Sequence, residues 1–421
     1  MLSEETKNRN GLYHMLNIRV PVVDPDHKPL MPTTASRARR WVRDGKAVGR
    51  WSDIGVYYVQ LCTTPSGYET QEISIGLDPG KRYSGLAAQS HTATLVMLHL
   101  VLMGFLPKQG MAIPGVKEKM TYRSMLRRGR RSRRINRKVP FKARNHRKKR
   151  FDNRRGSKLP PSIRSNRELE LRVVRELCRI LPVSSIVYEV IKADVDRTSG
   201  RKGAKSGKGF SPVMVGQKWM LEQLAQYAPV STREGWQKDG NGTSQIREAL
   251  KLYKDKKRKE AQSPETHCVD GIALAASQFV KYEAFHTANS HGRRFVGAVT
   301  VTPSVFKVVS RPRITRRRLH DAVPAKGGVR ERYGGSTTPF NIRKGDLVRH
   351  GKQIGYCSGY TGEKLSISDA RWKRLGQRPS SRCHLVSRST GLVVSGTSSP
   401  IQPPVLSLPT AKAVGYLGGK R

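Results

Sequence analysis

Acidic residues are scarce in this sequence. Asp and Glu number 31 against 80 Lys and Arg, which leaves a formal charge of +49 over 421 residues. A folded chain with that much like charge repels itself unless a polyanion neutralises it, so nucleic acid is the expected partner. Long apolar runs are also missing. The one extended run, Leu95 to Leu106, is interrupted by His99 and is too short to span a bilayer, so it reads as a buried strand and no membrane partner is expected. The five cysteines, at 62, 178, 268, 357 and 383, form no CxxC pair. That pattern gives no zinc framework and suits a reducing cytosol. The opening MLSEETKNRN has no apolar core of a signal peptide. A soluble cytoplasmic protein with two to four structural units is the expectation.

Between these absences the chain alternates folded and punctuated stretches. "IRVPVVDPDHKPLMP" (18–32) predicts a strand, followed by a helix from Thr34 to Asp44 stopped by Gly45 and a second strand from Ile54 to Leu61. From Ile73 three strands form a meander, Ile73 to Leu77, Gly85 to Gln89 and Leu95 to Leu102, joined by turns of Gly, Ser and Thr. Arg167 to Ile180 is an amphipathic helix with Leu169, Val173, Val174, Leu177 and Ile180 on one side, and "SSIVYEVIKADVD" (184–196) follows as a strand. A Gly, Lys and Ser-rich linker at 198–209 leads to a mixed helical stretch from Pro212 to Glu260. A last helix opens with Ser263 as N-cap and Pro264 at its first position, and buries Val269, Ile272, Ala273, Ala276 and Val280. From Val299 onward the chain reads as short strands, turns and basic clusters, with an unstructured end from Ser399.

One segment is unlike the rest. Thr121 to Arg150 holds 15 Lys or Arg in 30 residues and no acid. Like-charge blocks are usually disordered tails. Here, however, Arg123, Arg127, Arg130, Arg134 and Arg137 recur at helical spacing, with Arg131 beside them, Met125, Leu126 and Ile135 nearby and Pro140 as a stop. A helix that orders on nucleic acid is expected, with its arginines on phosphates, positioning the polymer without reading its bases.

Four groups from separate segments carry candidate chemistry: Asp78 after the first meander strand, Glu189 on the later strand, and His267 with Asp270 on the last helix. The three-residue spacing of His267 and Asp270 places both on one helical face, opposite the apolar stripe. Singly, each has an ordinary reading. Asp78 before Pro-Gly suits a turn, Glu189 suits a solvent-facing strand position, and His267 and Asp270 suit a helix start. Together they match what phosphodiester hydrolysis by two metal ions requires, carboxylates holding ions roughly 4 Å apart.

"SIGLDPG", "IVYEV" and "HCVDGIALA" resemble the three split segments of a RuvC nuclease domain, as arranged in the insertion-sequence proteins IscB and IsrB and in type II CRISPR effectors. "KPLMPTTASRARRWVRDGKA" is similar to the PLMP domain that opens that family, and Thr121 to Arg150 resembles its bridge helix. "KGGVRERYGGS", "KGDLV" and "YTGEKLSISDARWKRLGQ" look like its C-terminal region. The resemblance implies an α/β chain with an RNase H-like (RuvC) domain split into three segments, an N-terminal PLMP module, an arginine-rich bridge helix and a β-rich C-terminal domain. Its expected boundaries are 1–65 for PLMP, 66–119, 159–197 and 261–300 for the RuvC segments, 120–158 for the bridge, 198–260 for a linker and helical region, and 301–421 for the C-terminal domain. IscB carries an HNH nuclease between the second and third segments. Val190 to Thr266 contains no histidine and no cysteine, so no HNH site can be built there and the resemblance is to the IsrB branch.

The resemblance further implies that Asp78, Glu189 and Asp270 ligate two Mg²⁺ ions, with Mn²⁺ as a substitute, and that His267 orients or deprotonates the attacking water. The implied partners are a noncoding guide RNA (omega RNA) and a double-stranded DNA target with a target-adjacent motif, in a ribonucleoprotein holding one copy of the chain near the prokaryotic nucleoid. The implied activity is nicking of the displaced strand, with sequence choice delegated to base pairing. Two alternatives stay open at this point: a structure-specific RuvC-like nuclease that needs no guide, and a non-catalytic RNA-binding protein for which the charge alone would suffice.

Overall fold

The computed structural model describes residues 18–102, 161–191, 212–258, 261–311 and 340–396, with isolated positions between them. The linker expected at 198–209 lies outside the described residues, as do all but isolated positions of the expected bridge and of the stretch from Ser399. The chain is α/β, and two compact units separate within it. Described residues up to Leu100 together with Ser162–Val309 form the first unit, and those within Ser310–Ser395 belong to the second.

At the start of the first unit, β1 (Arg19–Val23), β2 (Pro29–Thr34), α1 (Ala35–Arg43), β3 (Ala47–Trp51) and β4 (Tyr57–Leu61) make a small sheet ordered β2-β1-β4-β3. The single strand expected over 18–32 is two, because Asp24 closes a turn by accepting from the Lys28 amide at 2.8 Å. The helix fits its sequence signals. Thr34 caps it by accepting from the Arg37 amide at 3.3 Å, and Gly45 takes φ +68° just past its end.

The larger sheet of this unit contains β5 (Ile73–Asp78), β6 (Tyr83–Ser90), β7 (Thr94–Val101), β8 (Ser185–Val190) and β9 (Val230–Glu234). The strand Val305–Ser310, beyond the expected third segment, lies next to β7, and the order from there runs β7-β6-β5-β8-β9. β5 pairs antiparallel with β6 and parallel with β8, and β8 is parallel to β9. Every residue of β6 and β7 is buried, as expected of a sheet covered on both faces. The helical reading of Pro212 to Glu260 is corrected. That stretch folds as α3 (Pro212–Leu224), then β9, then α4 (Thr243–Ala249), because "VSTRE" is short, β-branched and free to add to the β8 edge.

Helix α2 (Pro161–Cys178) begins six residues before the expected Arg167 and buries Leu169, Val173, Val174 and Leu177 as its periodicity predicts. Helix α5 (Pro264–Ala276) departs further from expectation. Nearly all of it is buried, Val280 opens the next strand rather than continuing the helix, and the Ser263 side chain makes no cap bond. Instead, the Ser263 carbonyl accepts from the Thr266 hydroxyl at 2.7 Å.

Three glycines let α5 lie flush on the sheet. A Cβ on Gly76 would sit 2.0 Å from the Gly271 oxygen, one on Gly85 2.1 Å from the His267 oxygen, and one on Gly271 2.9 Å from the Ala87 nitrogen. Since strand side chains alternate, Ser84 points away from α5. There it meets α2, donating to Glu170 Oε1 at 2.5 Å. The sheet is thereby clamped between two helices.

In the second unit, a five-stranded antiparallel sheet runs Arg374–Pro379, Lys364–Ser368, Gln353–Thr361, Leu347–His350, His384–Ser387. Buried Asp346 organises its first turn, accepting from the Arg343 and Ser389 amides, each at 2.8 Å, and from Arg388 Nη1 at 2.9 Å.

Candidate functional site

Asp78 and Glu189 end two neighbouring parallel strands. The β5–β8 register pairs Gly76 with Val187 and Leu77 with Tyr188, so one further step sets Asp78 beside Glu189. In an open α/β sheet such carboxyl ends are where ligands are met. The two carboxyls act on each other, and their proton affinities are driven apart. Burial alone would push Asp78 up, but the neighbouring His267 imidazole and the charge of Lys254 hold it below the ordinary carboxylate value. Burial, with the charges of Asp78 and Asp270, pushes Glu189 well above that value. Of the two, Glu189 is therefore the group that holds a proton more tightly.

Helix α5 brings the other two groups. His267 Nδ1 lies 4.0 Å from Asp78 Oδ2. Asp270, on the same face one turn on, is buried and held on both oxygens, by Arg247 Nη1 at 2.6 Å on Oδ1 and by Lys254 Nζ on Oδ2. Burial would discharge Lys254, but Asp270 and Asp78 raise its pKa and keep it a cation. All four groups are thus neighbours. Among the described residues, however, no three Asp, Glu, His or Cys side chains are grouped so as to hold one metal ion. Asp270 is committed to its two cations.

A buried network beneath Asp78 escaped the sequence reading. Arg167 and Glu170, three residues apart on α2, pair at 2.9 Å. Arg167 Nη2 donates to the Gly80 carbonyl at 3.1 Å, and the Gly80 amide donates to Ser84 Oγ at 3.2 Å. The Asp-Pro-Gly turn is therefore fixed from both its carbonyl and its amide. Burial raises the Glu170 pKa to about 7 despite Arg167 and Ser84. The signal was present, since Arg167 and Glu170 flank Leu169 on the buried side of α2. Arg247 and Lys254 carried no such signal, because they come from the stretch read as mixed helical, with no candidate residue singled out.

His99 also belongs here. Its ring centroid is 5.3 Å from that of His267 and 5.0 Å from that of Tyr83. It is fully buried, and neither ring nitrogen has a hydrogen-bond partner among the described residues. Burial, and then the proximity of His267, push its pKa down to about 3, so it is neutral at any working pH.

The arginines expected to grip phosphates, Arg123, Arg127, Arg130, Arg131 and Arg134, lie outside the described residues, while Arg137 is exposed in an isolated turn. Their sequence nonetheless bears on the comparison with known proteins. Residues 20–209 match the family model of the RRXRR protein. The RRXRR match takes in Asp78, Glu189 and the basic run, and ends before His267 and Asp270. The pattern spelled by that name occurs twice in overlap, as RRGRR at 127–131 and RRSRR at 130–134. No curated protein matches the chain. Among the described residues no helix is long and apolar enough to cross a membrane.

Proposed function

We propose that this chain is an RNA-guided DNA nickase with an RNase H-like RuvC centre of the IscB and IsrB type. The observation that carries the reading is the convergence of Asp78, Glu189, His267 and Asp270, from three separated segments, at one end of a mixed sheet. The RRXRR match over residues 20–209 is consistent with a nuclease of this type. The charge of +49 supports a guide RNA and a DNA target as partners, held through their phosphates.

The donor set suits divalent ions such as Mg²⁺ or Mn²⁺. Burial, and then the charges of Asp78 and Asp270, raise the proton affinity of Glu189, and a cation among the three carboxyls would relieve the repulsion between them. Asp78, Glu189 and Asp270 would hold the ions, with Asp270 released from Lys254. When bound, the metal would supply a Lewis acid that lowers the pKa of water and offsets charge on the phosphate. Asp78 orients His267 through Nδ1, leaving Nε2 to accept a proton from the attacking water. The water oxygen bonds to phosphorus as the phosphorus–oxygen bond to the leaving strand breaks, which yields a nick.

With a single nuclease centre, one strand is cut, and in this reading it is the strand displaced by the guide. The test is Asp78→Ala in the full ribonucleoprotein. Metal-dependent nicking should vanish while guide RNA binding persists. A wild-type protein that binds RNA and never cuts would instead mark a binding protein, and cutting of branched DNA without any copurifying RNA would mark a guide-independent nuclease.

A further inference from the structure

Two large aromatic side chains stand beside the site without being packed into the fold. Trp236 and Tyr253 are each 70% exposed. An exposed aromatic on a loose loop would say little, but these two are carried by backbone that is fixed on both sides.

Trp236 follows Gly235, whose missing Cβ would fall 2.2 Å from Glu189 Oε1. The Gly235 carbonyl accepts from the Ser244 hydroxyl at 2.8 Å. Further along the same loop the Gly240 amide donates to Gln245 Oε1 at 2.8 Å, and Glu234 bridges to Gly242. Tyr253 is held in the same way. Before it, Leu252 is buried and its amide donates to the Arg247 carbonyl at 3.0 Å. After it, Lys254 is bound to Asp270, and buried Asp255 donates its amide to the Glu265 carbonyl at 2.9 Å. Each ring is therefore next in sequence to a residue that touches a carboxylate of the site.

The surroundings are basic. Lys238, Lys251, Lys256, Lys257 and Arg258 are exposed on the same two loops, against one exposed acid, Asp239, and Arg258 is paired with Asp255 at 2.8 Å. Aromatic faces on fixed backbone among exposed cations are the two parts of a surface for single strands: bases stack on the rings while the backbone tracks the charge. Because the backbone that carries the two rings is already fixed, binding costs only the freedom of the side chains themselves.

We propose that Trp236 and Tyr253 form a stacking platform that seats bases of single-stranded nucleic acid on either side of the scissile phosphate. The inference rests on the nuclease reading of the Asp78 site.

The test uses the full-length protein in EDTA, so that no cleavage occurs, and single-stranded oligonucleotides carrying 5-iododeoxyuridine, which cross-link to stacked aromatic rings under light. Mass spectrometry should place the cross-links at Trp236 and Tyr253. In the same buffer, Trp236→Ala and Tyr253→Ala should each weaken single-strand binding by about 5- to 150-fold. Because stacking releases no counterions, the salt slope should not change. Trp236→Phe should recover most of the lost affinity. Cross-links confined to other exposed aromatics such as Trp51, or wild-type affinity in both alanine variants, would overturn the platform. A protein that shows these cross-links but never nicks keeps the platform and loses the nickase reading, whereas nicking with no such cross-links does the reverse.

Discussion

His267 faces Asp78 at 4.0 Å because a helix is allowed to touch a sheet almost backbone to backbone. Gly76, Gly85 and Gly271 leave the space. Any side chain at these positions would lift α5 and carry His267 and Asp270 away from the strand ends.

Gly76→Ala should therefore destabilise the first unit by about 1–3 kcal/mol or more, since its Cβ would meet backbone on both Gly271 and Ala275. Gly67→Ala is the control: nothing lies within 4 Å of its Cβ, and a change within about 0.5 kcal/mol is expected. Denaturant unfolding of the two variants checks this, and equal stabilities would refute the close-approach account.

His99 supports His267 from behind as a positioning residue. His99→Leu should slow nicking by about 10- to 100-fold, because the His267 imidazole then loses one of the two aromatic rings, His99 and Tyr83, packed against it, with RNA affinity unchanged. His99→Phe should restore most of the rate, because the native ring is neutral and makes no hydrogen bond among the described residues. A phenylalanine variant as slow as the leucine one would show that the imidazole nitrogens act directly.

Glu170 gives a pH signature. Its pKa rises from the ordinary 4.5 to about 7 on folding, so the folded state holds the proton more tightly than the unfolded one. The stability this contributes is full below pH 4.5 and is lost as pH climbs through 7, a swing of about 3 kcal/mol. Glu170→Gln should flatten that decline in denaturation curves taken across the range. An unchanged slope would mean that Arg167 keeps Glu170 ionised in the folded protein.

Lys254 occupies an oxygen of Asp270 that a divalent ion would need. Lys254→Met should lower the Mn²⁺ concentration for half-saturation, read by paramagnetic resonance of the free ion without any turnover. Weaker Mn²⁺ binding in the variant would show that the lysine assists the site instead of competing for it.

Replacing Arg127, Arg130 and Arg134 with Ala should weaken RNA binding and reduce its salt dependence, by roughly 0.7 in log–log slope for each single-strand phosphate no longer neutralised. A wild-type slope would exclude these arginines from the RNA interface.

Much of the local structure was legible from residues alone. Thr34 and Gly45 bound α1, the apolar spacing of α2 fixed its buried face, and Asp78, Glu189, His267 and Asp270 drew attention by residue type and by the segments around them. These are short-range properties, set by backbone sterics, capping and periodicity. β9 was lost inside a helical reading because five β-branched and polar residues gain strand character only when an edge is offered, here that of β8.

What the sequence by itself determined is the charge, the local elements and the identity of the reactive side chains, since each depends on residues near one another in the chain. Only the tertiary structure decided that Lys254 and Arg247 sit on Asp270, that Arg167 and Glu170 lock the turn after Asp78, and that His99 backs His267. Those pairings join different elements, 16 residues apart for Lys254 and Asp270 and 87 for Arg167 and Gly80, and their strength comes from burial, which no local window of residues reports.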